Sequence, residues 1–370
     1  MTRAAIISAF DPERYKGGIE TFILNLKTLL SEKDIDVDLH FTPPEPAQLS
    51  IPFPVKCLSK VAPDLLMKCF MTGRAFSKIE KNYDLVISNN FYGLGYFSPQ
   101  VRSVNIYHST HAGYADALRG KIPDDEYRSM KYFFGHIGDR LSGRGKLKIA
   151  VSKAVNNELQ KYYKFVNVHI VHHGVDTFFF KKMGNRSLLR RKWNIDSNAL
   201  TGIFVSRWEK GKGTDIIEEV VKLHPDITWL FVIGNSECPL SDNNRVRVIQ
   251  DADKEAMREL YSSSDFMLFP SYYEGFGFAV VEAMSCGLPV ICTETGVAIE
   301  LLKSNELRKL ILPLTDKADM VNRIGNLIRM LKDATERSKI EAAGREIIER
   351  DFTIESWKAG MSAALGLSPQ

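Results

Sequence analysis

Two glutamates, Glu274 and Glu282, stand eight positions apart in the segment EGFGFAVVE. The second sits between Val281 and Ala283, inside a run that otherwise reads as buried helix. Burying an unpaired carboxylate is costly, so Glu282 needs a partner. An internal basic residue and a ligand hydroxyl both satisfy that need, and burial logic alone leaves the two open. Gly275 and Gly277 allow a ligand close to the backbone, and free N–H groups at the start of the following helix favour an anion. Upstream, RWEKGKG puts Arg207 and Lys212 just beyond an apolar run. Such a turn is either a solvated basic loop or an anion clamp.

The elements around these residues are those of parallel α/β units. DFMLFPS reads as a strand, YYEGFGF as a loop and AVVEAMSC as a helix. Gly287 and Pro289 stop that helix before the strand PVICT. A βαβ unit puts such a loop at the carboxyl edge of its sheet, where open α/β sheets bind ligands. Across the chain, short apolar runs alternate with helical patterns. AAIISAF, VDLHF, DLVIS, SVNIYH and LKIAVS form one set, with helices such as Ile19 to Leu30 and Leu65 to Lys81 between them. GIFVS, WLFVIG, VRVIQ, DFMLFPS and PVICT form a second set. The restart predicts two Rossmann-like, doubly wound domains, 1–172 and 173–352. The segment HHGVDTFFFKKMGNRSLLRRKWNID, which lacks a strand pattern, opens the second. The tail from Thr353 to Leu365 reads as a last helix, and 353–370 is expected to pack back on the first domain. TPPEPAQLSIPFP reads as an irregular surface loop.

Composition excludes several classes. The chain has 370 residues, 44% hydrophobic and 25% charged, with a net charge of +4. That balance and the lack of any nucleic-acid motif argue against RNA or DNA as partners. No run approaches the ~20 apolar residues of a membrane span. The start, MTRAAIISAF, has no leader-like apolar core and reads as a buried strand from Ala4 to Phe10. Five cysteines without a CxxC pair suit reduced thiols, and a cytoplasmic location is expected. His169 and the HHGVD pair do not make up a metal-ligand set. GKGT at Gly211 to Thr214 is not a P-loop, because Gly213 stands where Ser or Thr is needed. GLG at Gly93 to Gly95 lacks the third glycine of a dinucleotide fingerprint.

The pattern PSxxEGFGxxxxEAMxxGxPV, with its Glu-x7-Glu spacing, resembles the signature of the retaining glycosyltransferases of family 4, which have the GT-B fold. Further matches follow in order: GGIE at Gly17 to Glu20, His108 after NIY, AVS at Ala150 to Ser152, HHGVD at His172 to Asp176, and FVSRWEKGKG. HHGVD departs from the family's usual Asn-Gly-Val-Asp by a histidine. The resemblance covers nearly the whole chain and is weakest between Asp34 and Tyr83. It includes the group 1 transferases that build lipopolysaccharide and glycolipids. It implies two domains facing across a cleft, with an acceptor site on the first and a nucleotide-sugar site on the second. It also implies roles. Glu282 would bind the ribose hydroxyls, and Glu274 would lie beside the transferred sugar. The Gly275–Phe276–Gly277 backbone would meet sugar hydroxyls and phosphate. Arg207 and Lys212 would hold the diphosphate, with the backbone of Gly17 and Gly18 facing it. His108 would stand near the donor sugar, with His111 as its neighbour. The catalytic set is then Glu274, His108, Arg207 and Lys212, with no metal and no cofactor beyond the donor.

By the same resemblance the reaction retains anomeric configuration, with the departing phosphate taking the acceptor's proton. DVD (Asp36 to Asp38) and DAD (Asp251 to Asp253) have the form of a metal-binding DxD, but their places in or after strands read as structural. The acceptor is expected to be a glycan or lipid-linked hydroxyl. Residues 119–148 mix basic side chains with Tyr132, Phe133, Phe134 and Leu141. They suit either a solvated helix with a core face or contact with an anionic membrane, on the inner face of the cytoplasmic membrane. The rival readings are another nucleotide-sugar GT-B enzyme, epimerase-like, and a non-catalytic nucleotide-sugar-binding protein.

Overall fold

The computed structural model describes residues 2–8, 11–12, 17–41, 63–97, 99–234 and 237–367. The proline-rich loop, Cys57 and the last two residues of the expected first strand lie outside them. The chain divides into two units, residues 1–172 with 358–370, and residues 173–357.

The first unit holds a six-stranded parallel sheet in the order β2-β1-β3-β4-β5-β6. Its strands are β1 (Thr2–Ser8), β2 (Ile35–Phe41), β3 (Leu85–Asn89), β4 (Arg102–Tyr107), β5 (Leu147–Ala150) and β6 (Val168–Ile170). β3 is buried along its whole length, as expected for a central strand covered on both faces. The edge strand β2 instead carries Asp36 and Asp38, and Asp38 takes hydrogen bonds from Arg3 (2.7 Å) and Tyr83 (2.9 Å). The order reverses between β1 and β3, so the segments leaving their carboxyl ends flank a topological switch point.

The second unit repeats the architecture as β12-β11-β10-β7-β8-β9. Its strands are β7 (Thr201–Val205), β8 (Thr228–Ile233), β9 (Val246–Gln250), β10 (Phe266–Phe269), β11 (Val290–Thr293) and β12 (Ile311–Leu312). Here the switch point lies between β7 and β10. Each sheet has one strand more than the sequence pattern suggests. β6 is three residues long and largely exposed, and β12 is two residues long. Neither is long enough to show a period.

HHGVD has a structural task in this unit. Val175 donates to Phe352 O (2.8 Å) and accepts from Ile354 N (3.1 Å). A Cβ on Gly174 would stand 2.6 Å from Thr353 O, so a side chain there would break the bridge. This pairing keeps residues 353–357 with the second unit, although the sequence reading groups them with the first. The final helix, Ile354–Leu365, passes from one unit to the other. Lys358 fixes its later part to the first unit through Glu32, at 2.6 Å. Cys69, Cys238, Cys286 and Cys292 are all buried free thiols.

One buried base stands out in the first unit. Lys146, just before β5, gives its Nζ to Ser88 Oγ (3.1 Å) and Gly93 O (3.3 Å) and lies over the Tyr96 ring. Burial pushes its amine down to about 7, from 10.5. Between those values the unfolded chain binds the extra proton, so stability rises with pH across that window. The cost of burying Lys146 is complete below about pH 7 and fades toward 10.5. Lys146→Met is expected to be favoured over wild type at low pH, with its advantage shrinking steadily toward about pH 9.5. Urea unfolding of both proteins across that range checks this, and a gap that does not change with pH would contradict it.

Candidate functional site at two sheet edges

In the second unit the site forms where the segments after β7 and β10 meet. After β7 the chain makes a short 3-10 turn, Lys210–Lys212, and enters the helix Thr214–Leu223. Gly213 joins them in the left-handed region at φ +69°. A Cβ there would also run into the Pro270 carbonyl, so only glycine fits. Tyr272 N donates to Gly211 O at 2.9 Å, which ties the two segments together. The Tyr272 hydroxyl donates to Asp215 at 2.9 Å.

This packing places Lys212 Nζ 2.7 Å from Glu274 Oε1, with both side chains mostly buried. Ser271 Oγ donates to the same oxygen at 2.9 Å. Arg207 does not join them. Its side chain is 68% exposed and pairs with Glu209 at 3.2 Å. Gly277, at φ +98°, opens the helix Phe278–Ser285, and the Phe276 carbonyl accepts from Val297 N at 2.8 Å. Phe276 itself is buried, with the His173 ring edge-on at 5.0 Å. His173 also stacks on Phe278 at 4.5 Å. The departure from asparagine in HHGVD therefore brings aromatic packing to the loop.

Glu282 lies one turn into that helix and is half-buried. Within the protein its partner is a tyrosine and not a basic residue. The buried Tyr261 hydroxyl donates to Glu282 Oε2 at 3.2 Å. Burial pushes the carboxyl up to about 7, against the lowering effect of the tyrosine. Tyr261 lies in the helix Lys254–Ser263, whose N-cap Asp253 accepts from Ala256 N at 2.8 Å. That cap is the observed work of the second aspartate of DAD.

The first unit has candidate residues at a sheet edge of its own. Gly17 and Gly18 are exposed at the start of the helix Gly18–Ser31, where Gly17 has an extended backbone. Glu20 folds back over this end, since a Cβ on Gly17 would lie 2.5 Å from its Oε2. His108 follows β4 and is buried, with Nε2 2.9 Å from Asn89 Oδ1. Burial pushes its ring down to about 3. His111, three residues on, instead pairs through Nδ1 with the buried Asp139 carboxylate at 3.1 Å. Thr110 and Ser152 serve as helix caps. In 119–148, Phe134 is buried, Phe133 and Leu141 pack against the same cluster, and Tyr132 and Ile137 are exposed.

Four partners were not singled out by sequence: Tyr261, Ser271, Asn89 and Asn90. Asn89-Asn90 had a readable signal, since two asparagines at the end of a strand suit a chain reversal. No group of three or more potential metal ligands occurs among the described residues.

The lysine and the Glu274 carboxylate thus meet at the switch point of a doubly wound sheet, the place where open α/β sheets bind ligands. Comparison with known proteins is more specific. Residues 16–178 match the model of Glycosyltransferase Family 4, and residues 185–347 match that of Glycosyl transferases group 1. The chain belongs to the family 4 glycosyltransferases. The D-inositol 3-phosphate glycosyltransferase of Mycolicibacterium vanbaalenii is 23% identical over 340 residues, covering 76% of this chain and 71% of that one. Matches to others of that name cover between 37% and 70% of their length. Sucrose-phosphate synthase from Thermosynechococcus elongatus shares the fold with a TM-score of 0.78 at 19% identity, covering 98% of both chains. Anabaena HepE, solved with UDP and glucose, does so at 0.67 and 18% identity, covering 100% of both.

The raised Glu282 carboxyl has a measurable consequence. Its folded value of about 7 exceeds the unfolded 4.5, so its contribution is present below pH 4.5 and lost as pH rises through about 7. Glu282→Gln is expected to remove that loss and to unfold later than wild type at about pH 8. Equal midpoints for the two unliganded proteins at that pH would contradict it.

Proposed function

We propose that the protein transfers a hexosyl unit from a nucleoside-diphosphate sugar to a hydroxyl acceptor, with retention of configuration and without a metal. The observation that carries this reading is the Lys212–Glu274 contact at the switch point of the second sheet. It puts a cation for a departing phosphate beside a carboxylate for a sugar. The family membership of the chain and the UDP and glucose of HepE support it.

In this reading the bond from the anomeric carbon to the β-phosphate breaks, and the acceptor oxygen bonds to the same face of that carbon. The departing phosphate takes the acceptor's proton. Negative charge grows on the phosphate, and Lys212 and Arg207 oppose it with charge-assisted hydrogen bonds of ~1.5–3 kcal/mol each. Arg207 is exposed and its pairing with Glu209 is a surface one, so little opposes its turning to a diphosphate. The N–H groups near Gly277, and those of Gly17 and Gly18, add fixed dipoles. Glu274 takes the sugar hydroxyls and Glu282 the ribose hydroxyls, while His108 stands beside the sugar. The acceptor, a glycan or lipid-linked hydroxyl, is assigned to the first unit.

Thermal unfolding with UDP, GDP, ADP and their glucose conjugates, with and without Mg²⁺, tests the reading. A nucleotide at 100 times its Kd adds ~2.7 kcal/mol of stability. One nucleotide is expected to raise the midpoint equally with and without Mg²⁺, and Lys212→Ala to lower turnover of its sugar conjugate ~100-fold. A folded sample that responds to none of them would overturn the reading.

Residues 119–148 suggest where the acceptor is met. Tyr132 and Ile137 are exposed and lie five positions apart on the π-helix Ser129–Asp139, with Arg128, Arg140 and Arg144 exposed nearby in sequence. We propose that this face touches an anionic membrane surface, which fits a lipid-linked acceptor at the inner face of the cytoplasmic membrane. No helix among the described residues is long and apolar enough to cross a membrane. The protein is expected to sediment with phosphatidylglycerol vesicles at low salt more than with phosphatidylcholine vesicles. Equal sedimentation with both would remove the membrane from the proposal.

A further inference from the structure

We propose that His173 is a positioning residue for the donor loop: its ring clasps Phe276 and Phe278 and so fixes the turn at Gly277 between them. The inference rests on the transferase reading, which puts the donor against this loop. It adds the group that gives the loop its shape before a donor arrives.

The loop needs outside support because of its own composition. Gly275 and Gly277 leave the backbone few steric limits, and Gly277 takes φ +98° at the N-cap of the helix Phe278–Ser285. The direction of the first free N–H groups of that helix depends on this one turn. A hydrogen bond holds one side of it. The Phe276 carbonyl accepts from Val297 N at 2.8 Å, and Gly296 leaves room for that carbonyl, because a Cβ there would strike it.

Rings hold the other side. His173 is buried and stacks on Phe278, with centroids 4.5 Å apart and planes 24° from parallel. It meets Phe276 almost at a right angle, at 5.0 Å. Phe276 and Phe278 also meet edge to face at 5.6 Å, so the three rings close a triangle. Both stacked and edge-to-face pairs are favoured arrangements of aromatic rings. Turning the backbone at Gly277 would move Phe276 and Phe278 relative to each other, and a ring in contact with both opposes that motion.

Such a clasp works only if its own base is fixed. Two residues on, Val175 is bridged to Phe352 and Ile354, and Gly174 lies hard against Thr353. The Phe352 ring in turn lies 6.2 Å from that of Phe276. His173 therefore stands on a segment that is tied down, while the loop it meets is rich in glycine. The family's usual residue at 173 is asparagine, and 278 is an open position of PSxxEGFGxxxxEAM. Here both positions carry rings, and those two rings stack. An asparagine at 173 would have no ring to set against Phe278.

The test reads the loop by backbone hydrogen exchange in the unliganded whole chain, through peptides covering 274–280. His173→Asn keeps a polar group and loses the ring. It is expected to exchange faster than wild type there, with the rest of the second unit unchanged. His173→Phe keeps the ring and loses its nitrogens, and is expected to exchange like wild type. UDP, GDP and ADP are then titrated into each protein. His173→Asn is expected to weaken whichever nucleotide wild type binds by on the order of 10-fold, and His173→Phe to bind it as wild type does. If His173→Asn does not fold, Phe278→Leu removes the stack from its other partner and is expected to show the same two effects. Unchanged exchange of 274–280 in a folded variant without the stack overturns the proposal, as does a His173→Phe protein that behaves like His173→Asn. Faster exchange with unchanged nucleotide affinity overturns the donor role of the clasp. A wild type that binds none of the three nucleotides overturns the transferase reading and that role together, and exchange that still follows the ring leaves the clasp itself standing.

Discussion

The adjacency of β7 and β10 in the second sheet is the constraint on which the proposed chemistry depends. These strands are separated in sequence by two strands and two helices, yet they pair directly. Parallel crossovers lead away from them in opposite directions, so no helix covers the space above their carboxyl ends. Two loops can therefore lean together there. Gly213 lets the first loop touch the Pro270 carbonyl of the second, and the contact brings Lys212 to Glu274. A larger residue at 213 would separate a pair of side chains that it does not itself touch.

The two sheet edges handle buried polar groups differently. In the second unit the charges are opposite and paired, or, at Glu282, met by a single phenol. A carboxyl pushed up by burial and held by one donor retains capacity to accept further hydrogen bonds, which suits contact with ligand hydroxyls. In the first unit the polar groups around His108 are mainly neutral amides and hydroxyls that satisfy one another. Such an arrangement gives direction without charge.

Much of this was legible in the sequence, for reasons that particular residues make plain. Central strands such as β3 and β8 are buried throughout and leave uninterrupted apolar runs. β6 and β12 escape notice because two or three residues carry no period. The glycine-rich loop and Lys212 were readable because glycine and lysine are demanded by backbone geometry and charge. The partners were not. Nothing in KEAMRELYSS says that Tyr261 faces Glu282, since that meeting is set by the packing of two helices and not by spacing along either. Arg207 shows the reverse case. Its motif groups it with Lys212, but the structure leaves its side chain out on the surface with Glu209.

The unliganded Lys212–Glu274 pair also bears on how the donor would be received. A mostly buried ammonium without a counter-charge would be unstable, and Glu274 supplies that charge in the resting protein. An arriving diphosphate carries more negative charge than one carboxylate and competes for the same lysine. As Lys212 turns to the phosphate, Glu274 loses part of its pairing while Ser271 still holds the shared oxygen. A carboxylate left in that state is a stronger acceptor for sugar hydroxyls than it was before. Binding of the leaving group and grip on the transferred sugar would then be coupled through one lysine. In the proposed transferase, the ion pair seen in the free protein would be the resting state of a donor clamp.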